Sequence, residues 1–232
     1  MTTLAIDTTA KEVAVAVLRD GSVLAEARAS AARSGSEILM PLAEATMRAA
    51  GVHVPSLDLL AVAVGPGSFT GVRVGVALAK GFGFGQSLLA APVSTTEALA
   101  ENLLPLSGLY CPVMDARRGE VYNALFRAEG GRLVRLTPDR ALSPDQLADE
   151  LRKGYAGEQV LLVGDGVYVA EPILCASGVS LGSVPPSLAL HSAASVARVG
   201  ERMHAEGLAV SVDLLSPTYL REAQADEAKR NG

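Results

Sequence analysis

Residues 65–75 read GPGSFTGVRVG, directly after the apolar run LDLLAVAV and directly before the small-residue stretch VALAKGFGFG. An apolar strand that ends in glycines and feeds a helix leaves backbone N–H groups unpaired at the helix start, near Thr70 to Arg73, and such a start suits an anion. The same geometry also serves a tight crossover. The G-x-G-x-x-G pattern is incomplete, because Gly65 and Gly67 are in place but Thr70 occupies the third glycine's position and Gly71 comes one residue late. No Gly-Lys-Ser/Thr follows, so this is not a Walker loop. The motif leaves both readings open, and the rest of the chain has to decide.

With 232 residues, 49% of them hydrophobic, the chain can bury a sizeable core as one large domain or two small ones. A formal net charge of −5 works against gripping a phosphate backbone unaided, so any RNA is expected to be held by a partner. The start, MTTLAIDTT, has neither a basic segment nor a long apolar one, and the uncharged stretch between Lys80 and Glu97 is broken by glycines and Pro92. Neither a signal peptide nor a membrane span is expected, which points to the cytoplasm. Cys111 and Cys175 stand far apart without a C-x-x-C pair, and they read as two reduced, buried thiols.

The order of elements repeats. Strands TLAID, EVAVAVLR and SVLAEARA, the last two joined at Asp20-Gly21, precede a helix over SEILMPLAEATMRAA. The strand LLAVAV, the glycine loop, a small-residue helix and the strand SLLAAPV follow, and Ser94 with Glu97 predicts a capping box opening a helix that ends before Pro105. From Tyr110 the order begins again with YCPVMD, EVYNALFR and RLVRL, then a helix with Ser143 as N-cap, Pro144 at N1 and Gln146 at N3. A shift of 108 positions superposes Asp7 on Asp115, Glu12 on Glu120, Val13 on Val121 and Arg19 on Arg127, and VAVGPG is echoed by LLVGDG. The agreement of strand order, acidic strand ends and glycine turns predicts a duplicated β-β-β-α-β-α unit. The first lobe is expected over residues 1–105 and the second over 106–222, its last helix free to pack back on the first, with a frayed charged tail over 223–232.

Two such lobes resemble the actin-like, sugar-kinase-like and Hsp70-like ATPase fold, an α/β fold in which a nucleotide sits in the cleft between related halves. That likeness fixes no activity. The phosphate hairpin of that superfamily carries D-x-G-T, whereas this chain has Asp7-Thr8-Thr9 and Asp115-Ala116-Arg117-Arg118. Both departures weaken the case for an active ATPase or kinase.

GPGSFTGVRVG, together with LAIDTT, MDARRGEVY and PTYLRE, closely resembles the bacterial TsaB family, also called YeaZ, over residues 3 to about 222. The resemblance implies a cytoplasmic, non-catalytic scaffold for placing a threonylcarbamoyl group on the adenosine beside the anticodon of certain tRNAs. It implies a TsaD-like catalytic partner, a TsaE-like ATPase, contact with tRNA only through the complex, and a homodimer when TsaD is absent. Because neither lobe has the D-x-G phosphate hairpin and no lysine sits in the glycine loop, the isolated chain is expected to hold no cofactor, and ATP is expected, if at all, only at a joint surface with partner subunits. The catalytic sibling of that family uses a metal held partly by two histidines on its first helix. Two imidazoles one turn apart are what a single ion needs there. The three histidines here, His53, His191 and His204, offer no such spacing, the helix over 36–50 has none, and all three read as isolated surface or capping residues. No metal site and no catalytic residue is expected.

Ser68 fails the G-x-S-x-G pattern of a nucleophile elbow and reads as a helix-capping or turn hydroxyl. Asp7 and Asp115 each end the first strand of a lobe, so they could face one cleft and hold magnesium, with a structural role somewhat favoured. Arg73 and the pair Arg117-Arg118 adjoin that cleft and suit a nucleotide, a tRNA phosphate or an acidic partner residue. Asp7, Gly65, Gly67, Ser68, Arg73 and Asp115 are therefore the weak candidates for cofactor binding.

The first helix has two apolar rows at 100° per residue. One is Ile38, Leu42, Ala45 and Ala49; the other is Leu39, Ala43, Met47 and Ala50. A helix resting on a sheet needs only one such stripe, so the excess predicts a second surface. The next helix places Gly71, Gly75 and Ala79 at i,i+4, a spacing that permits close approach. Burial of both helices inside the chain is the plainer reading. The sharper one, favoured by the resemblance, is an interface with TsaD or with a second copy, with Met47 as the preferred interface member of the first helix. The competing functions are a small ATPase or kinase acting alone and a homodimeric binding module with no tie to tRNA.

Overall fold

The computed structural model describes residues 1–30 and 35–220; the expected frayed tail over 223–232 lies outside them. Strands β1 (Thr2–Asp7), β2 (Glu12–Arg19), β3 (Ser22–Ser30), β4 (Leu59–Gly65), β5 (Leu89–Ser94) and the short β12 (Val210–Ser211) form one sheet in the order β12-β5-β4-β1-β2-β3. β1, β4 and β5 run parallel, as the crossovers between them require. Along β2 the residues alternate in size as well as in direction. Val13, Val15 and Val17 enter the core beneath α1 (Gly35–Ala49) and α2 (Phe69–Gly83), while Ala14 and Ala16 line the opposite face. That second face is built of small residues, among them Ala5, Ala61, Ala63 and Ala91, so a helix can lie close against it.

The helix that does so is α6 (Ala193–Ala205), near the end of the chain. Its Gly200 sits so near the sheet that a Cβ there would lie 2.5 Å from the Cβ of Ala61. In return α3 (Thr95–Glu101), which leaves the first lobe, places Leu99 and Ala100 in the core of the second lobe with Tyr110, Met114 and Phe126. The boundary near residue 105 therefore divides the longer strands but neither the helices nor β12, which returns to the edge of the first sheet. Each lobe lends a helix to its neighbour, and α3 and α6 meet in the middle.

The second sheet repeats the first around β6 (Leu109–Arg117). β7 (Glu120–Asn123), β8 (Phe126–Glu129), β9 (Arg132–Arg135) and β10 (Arg140–Leu142) give the order β10-β7-β6-β8-β9, and β11 (Val160–Val163) pairs parallel to β6. Helices α4 (Pro144–Gly154) and α5 (Val167–Ala176) cover one face. The single strand expected over EVYNALFR is split at Ala124-Leu125. Pro112 in β6 has no N–H to offer, and the partner strand departs beside it. The buried amide of Asn123 then donates to the carbonyls of Pro112 at 2.9 Å and Ala124 at 3.1 Å, while Leu125 N turns to the hydroxyl of Thr137.

The Ser143 and Gln146 capping box forms with both bonds. At Ser94 only half of the expected box forms: its hydroxyl accepts from Glu97 N, but the Glu97 carboxylate is drawn instead to Arg135 and Arg202. Cys111 is buried as expected, whereas Cys175 is exposed.

Candidate functional site

The glycine loop is filled by its own chain. Gly65 and Gly67 adopt φ of 119° and 152°, which only glycine accommodates easily. A Cβ at Gly65 would lie 2.6 Å from the carbonyl oxygen of Thr218, and one at Gly67 would lie 2.5 Å from that of Thr9. The hairpin between β1 and β2 presses into the start of α2. Ser68 N donates to Thr9 O at 2.7 Å, the Thr8 hydroxyl donates to Gly71 O at 2.7 Å, and the Ser68 hydroxyl caps Gly71 N at 3.2 Å. Two backbone donors of this turn, Ser68 N and Gly71 N, are thus taken by Thr9 O and the Ser68 hydroxyl. Two carbonyl oxygens pressed into this turn disfavour phosphate, and the loop serves as a crossover clamp.

Asp7 and Asp115 hold equivalent places in the two lobes, each closing an Asx turn two residues on. Thr9 N donates to Asp7 Oδ1 at 2.9 Å, and Arg117 N donates to Asp115 Oδ1 at 2.7 Å. Their surroundings differ. Asp7 is 2% exposed and its Oδ2 meets Nδ1 of His191 at 3.0 Å, so the reading of His191 as an isolated surface or capping residue is wrong. Burial opposes the charge on both groups, yet their attraction and hydrogen bond outweigh it, holding Asp7 below and His191 above their ordinary ranges. Asp115 lies nearer the surface. Burial again opposes its charge, but the Tyr168 hydroxyl at 2.5 Å and Arg117, through its N–H and its guanidinium, hold the carboxyl low. Among the described residues no group of three or more His, Cys, Asp or Glu is placed to hold a metal ion.

Arg73 does not enter this cleft. It lies about 200° around α2 from Gly71 at 100° per residue. Its guanidinium sits 3.8 Å from the centre of the Phe69 ring, and Nε donates to the Tyr219 hydroxyl at 2.9 Å. With Thr218 N bonded to Val64 O at 2.8 Å, residues 216–219 form a strap across the glycine loop. Two stretches far apart in sequence, GPGSFTGVR and PTYLRE, thus touch each other through their described residues.

The two rows of α1 fall opposite to the expected preference. Leu39, Ala43 and Met47 belong to the core under the first sheet, and Met47 is 6% exposed, so none of the three is available to a partner. Ile38 and Leu42 lie half-buried on the outer row, where Ala45 and Ala49 are exposed. On α2, Gly75 and Ala79 are buried and Gly71 and Gly75 face Thr8 of this same chain, so their small size serves β1 and not a partner. The outer side of α2 carries Thr70, Val74, Ala77, Leu78 and Gly81. A turn-by-turn projection of α2 finds these residues; the i,i+4 glycine spacing selected the inner side instead.

Residues 28–229 match the family model described as TsaD: tRNA N6-adenosine threonylcarbamoyltransferase. The tRNA threonylcarbamoyladenosine biosynthesis protein TsaB of Escherichia coli is 30% identical over 223 residues, 95% of each chain. The protein of that name from Bacillus subtilis is 38% identical over 140 residues, which are 60% of this chain and 61% of that one. YeaZ from Pseudomonas aeruginosa superposes with a TM-score of 0.79 at 25% identity, covering 94% of this chain and 99% of that chain. The ROK hexokinase from Thermus thermophilus, with a TM-score of 0.51 at 15% identity over 86% of this chain and 99% of its own, shares the two-lobed fold alone.

Proposed function

The chain belongs to the TsaB family of tRNA threonylcarbamoyladenosine biosynthesis proteins, and from that membership we propose that it acts as a non-catalytic subunit, pairing through the outer faces of α1 and α2 with a TsaD-like catalytic partner. The observation that carries this reading is the pair of neighbouring helices whose inner rows already fill the core while, on the outer side, Ala45 and Ala77 are exposed and Leu42 and Leu78 only half-buried. Small and aliphatic residues on two adjacent helices suit helix-to-helix packing. The same face accepts a second copy of the chain when the TsaD-like subunit is absent.

A TsaE-like ATPase completes the assembly, tRNA is held through the complex, and ATP, where present, lies at a joint surface with the partners. The net charge of −5 agrees with indirect contact to tRNA. Among the described residues no helix is long and apolar enough to cross a membrane, and a place in the cytoplasm follows from the proposed work on tRNA.

Co-expression with the TsaD-like subunit of the same organism, followed by pull-down and reconstitution of threonylcarbamoyl transfer to tRNA, tests the assignment. Capture of that subunit and dependence of transfer on this chain are expected. The absence of both capture and dependence would overturn it, and steady ATP turnover by the isolated chain would favour the kinase-like alternative.

A further inference from the structure

The two strand-end carboxylates, Asp7 and Asp115, are already engaged by groups of the chain itself. Asp7 Oδ1 accepts from the N–H and the hydroxyl of Thr9, at 2.9 and 2.6 Å, and Oδ2 faces His191 Nδ1 at 3.0 Å. Asp115 Oδ1 accepts from Arg117 N, and Oδ2 is shared by the Tyr168 hydroxyl and the Arg117 guanidinium. A metal-bound nucleotide, the ligand associated with this fold, does not fit these residues. The carboxylate of the first lobe is sealed from solvent, and the glycine turn beside it meets the carbonyl oxygens of Thr8 and Thr9 where phosphate oxygens would have to lie.

We infer that His191 is a built-in surrogate for a cation: its ring takes the place beside Asp7 Oδ2 that a cation would need. The position of the ring supports this. Nε2 is buried and has no partner among the described residues, so Asp7 alone fixes the imidazole through its nitrogens. The backbone brings it there firmly. Ser192, the next residue, caps α6, and its hydroxyl and Ala194 N both bond the Glu26 carboxylate on β3. Asp165 and Glu12 add further negative charge around the ring. The packing of α6 on the first sheet therefore also seats the ring beside Asp7. This inference stands apart from the partner assignment above.

Removal of the ring by His191→Gly in the full chain, with melting temperature and Mn²⁺ electron paramagnetic resonance as readouts, tests it. The unmodified chain is expected to bind no Mn²⁺ and to show no shift with imidazole. The variant is expected to melt several degrees lower, to recover in a dose-dependent way with added imidazole or with Mn²⁺, and to lose both responses when Asp7→Asn is added. Should His191→Gly not fold, His191→Lys and His191→Leu give the answer instead: the lysine variant should melt above the leucine variant at neutral pH. Mn²⁺ binding by the unmodified chain, a folded glycine variant indifferent to both additives, or equal melting of the lysine and leucine variants would overturn the inference.

Discussion

Thr8 and Gly71 are in contact across the start of α2: the Thr8 hydroxyl donates to Gly71 O at 2.7 Å, and a Cβ at position 71 would overlap the Thr8 carbonyl oxygen. Backbone meets backbone there, so no side-chain rotation relieves the clash. Gly71→Ala is expected to destabilise the isolated chain by about 1–3 kcal/mol or more. Gly81 lies on the same helix with nothing within 4 Å of where a Cβ would stand, and Gly81→Ala should stabilise by roughly 0.5–1 kcal/mol. Urea titrations of the two variants read the contrast, and equal effects would show that the hairpin yields.

Glutamate substitutions separate core from interface on α1. Met47→Glu removes a buried side chain worth about 1.5–3 kcal/mol and adds a carboxyl that must be desolvated, so early melting or insolubility is expected. Ala45→Glu adds its charge on the exposed side. It should melt within about 0.5 kcal/mol of the parent yet fail to capture the TsaD-like subunit in a pull-down. Full capture by a folded Ala45→Glu variant would move the interface elsewhere.

The Asp7–His191 pair predicts a pH window. A raised imidazole pKa means that the folded chain holds the proton more tightly, so His191 contributes fully below its ordinary 6.5 and loses its contribution as pH climbs through the raised value. Asp7, lowered, contributes fully above its ordinary 3.8 and loses its contribution as pH falls through the depressed value. The melting difference between parent and His191→Gln should therefore be widest between pH 3.8 and 6.5 and narrow on either side. Breaking a buried pair costs about 3–5 kcal/mol at its widest. A difference that is flat with pH would mean that the pair is uncharged throughout.

The two cysteines should differ sharply in reactivity. Burial pushes the Cys111 thiol up to about 12, whereas Cys175 is exposed. Brief iodoacetamide treatment of the native protein near pH 8, read by peptide mass spectrometry, is expected to label Cys175 and leave Cys111 untouched until denaturant is added. Comparable native labelling of both would show that the second lobe opens readily.

The parts of the fold legible in the sequence were those written locally. The apolar alternation of β1 and β2, the glycine turns and the Ser143 cap each have a short-range cause, and the 108-residue echo joined them into two lobes. The site was less legible because its contacts span the chain. His191 reaches Asp7 across 184 positions and Tyr219 reaches Arg73 across 146, and nothing around either residue marks its partner. The two rows of α1 have similar composition, so only the sheet beneath them could decide which is buried. The alanine face of the first sheet did carry a signal for α6: alternate small residues in β1, β2 and β4 demand a helix that can come close.

The exchange of α3 and α6 bears on how the molecule is made. Synthesis runs from the N-terminus, but among the described residues the alanine face of the first sheet is covered mainly by α6, with Ala98 of α3 beside it, and residues 216–219 strap the glycine loop. A nascent chain in which α6 has not yet left the ribosome therefore presents a largely uncovered apolar sheet face, however complete its first half. The earliest-made lobe is the last to be finished, and it is the lobe that bears the proposed partner face.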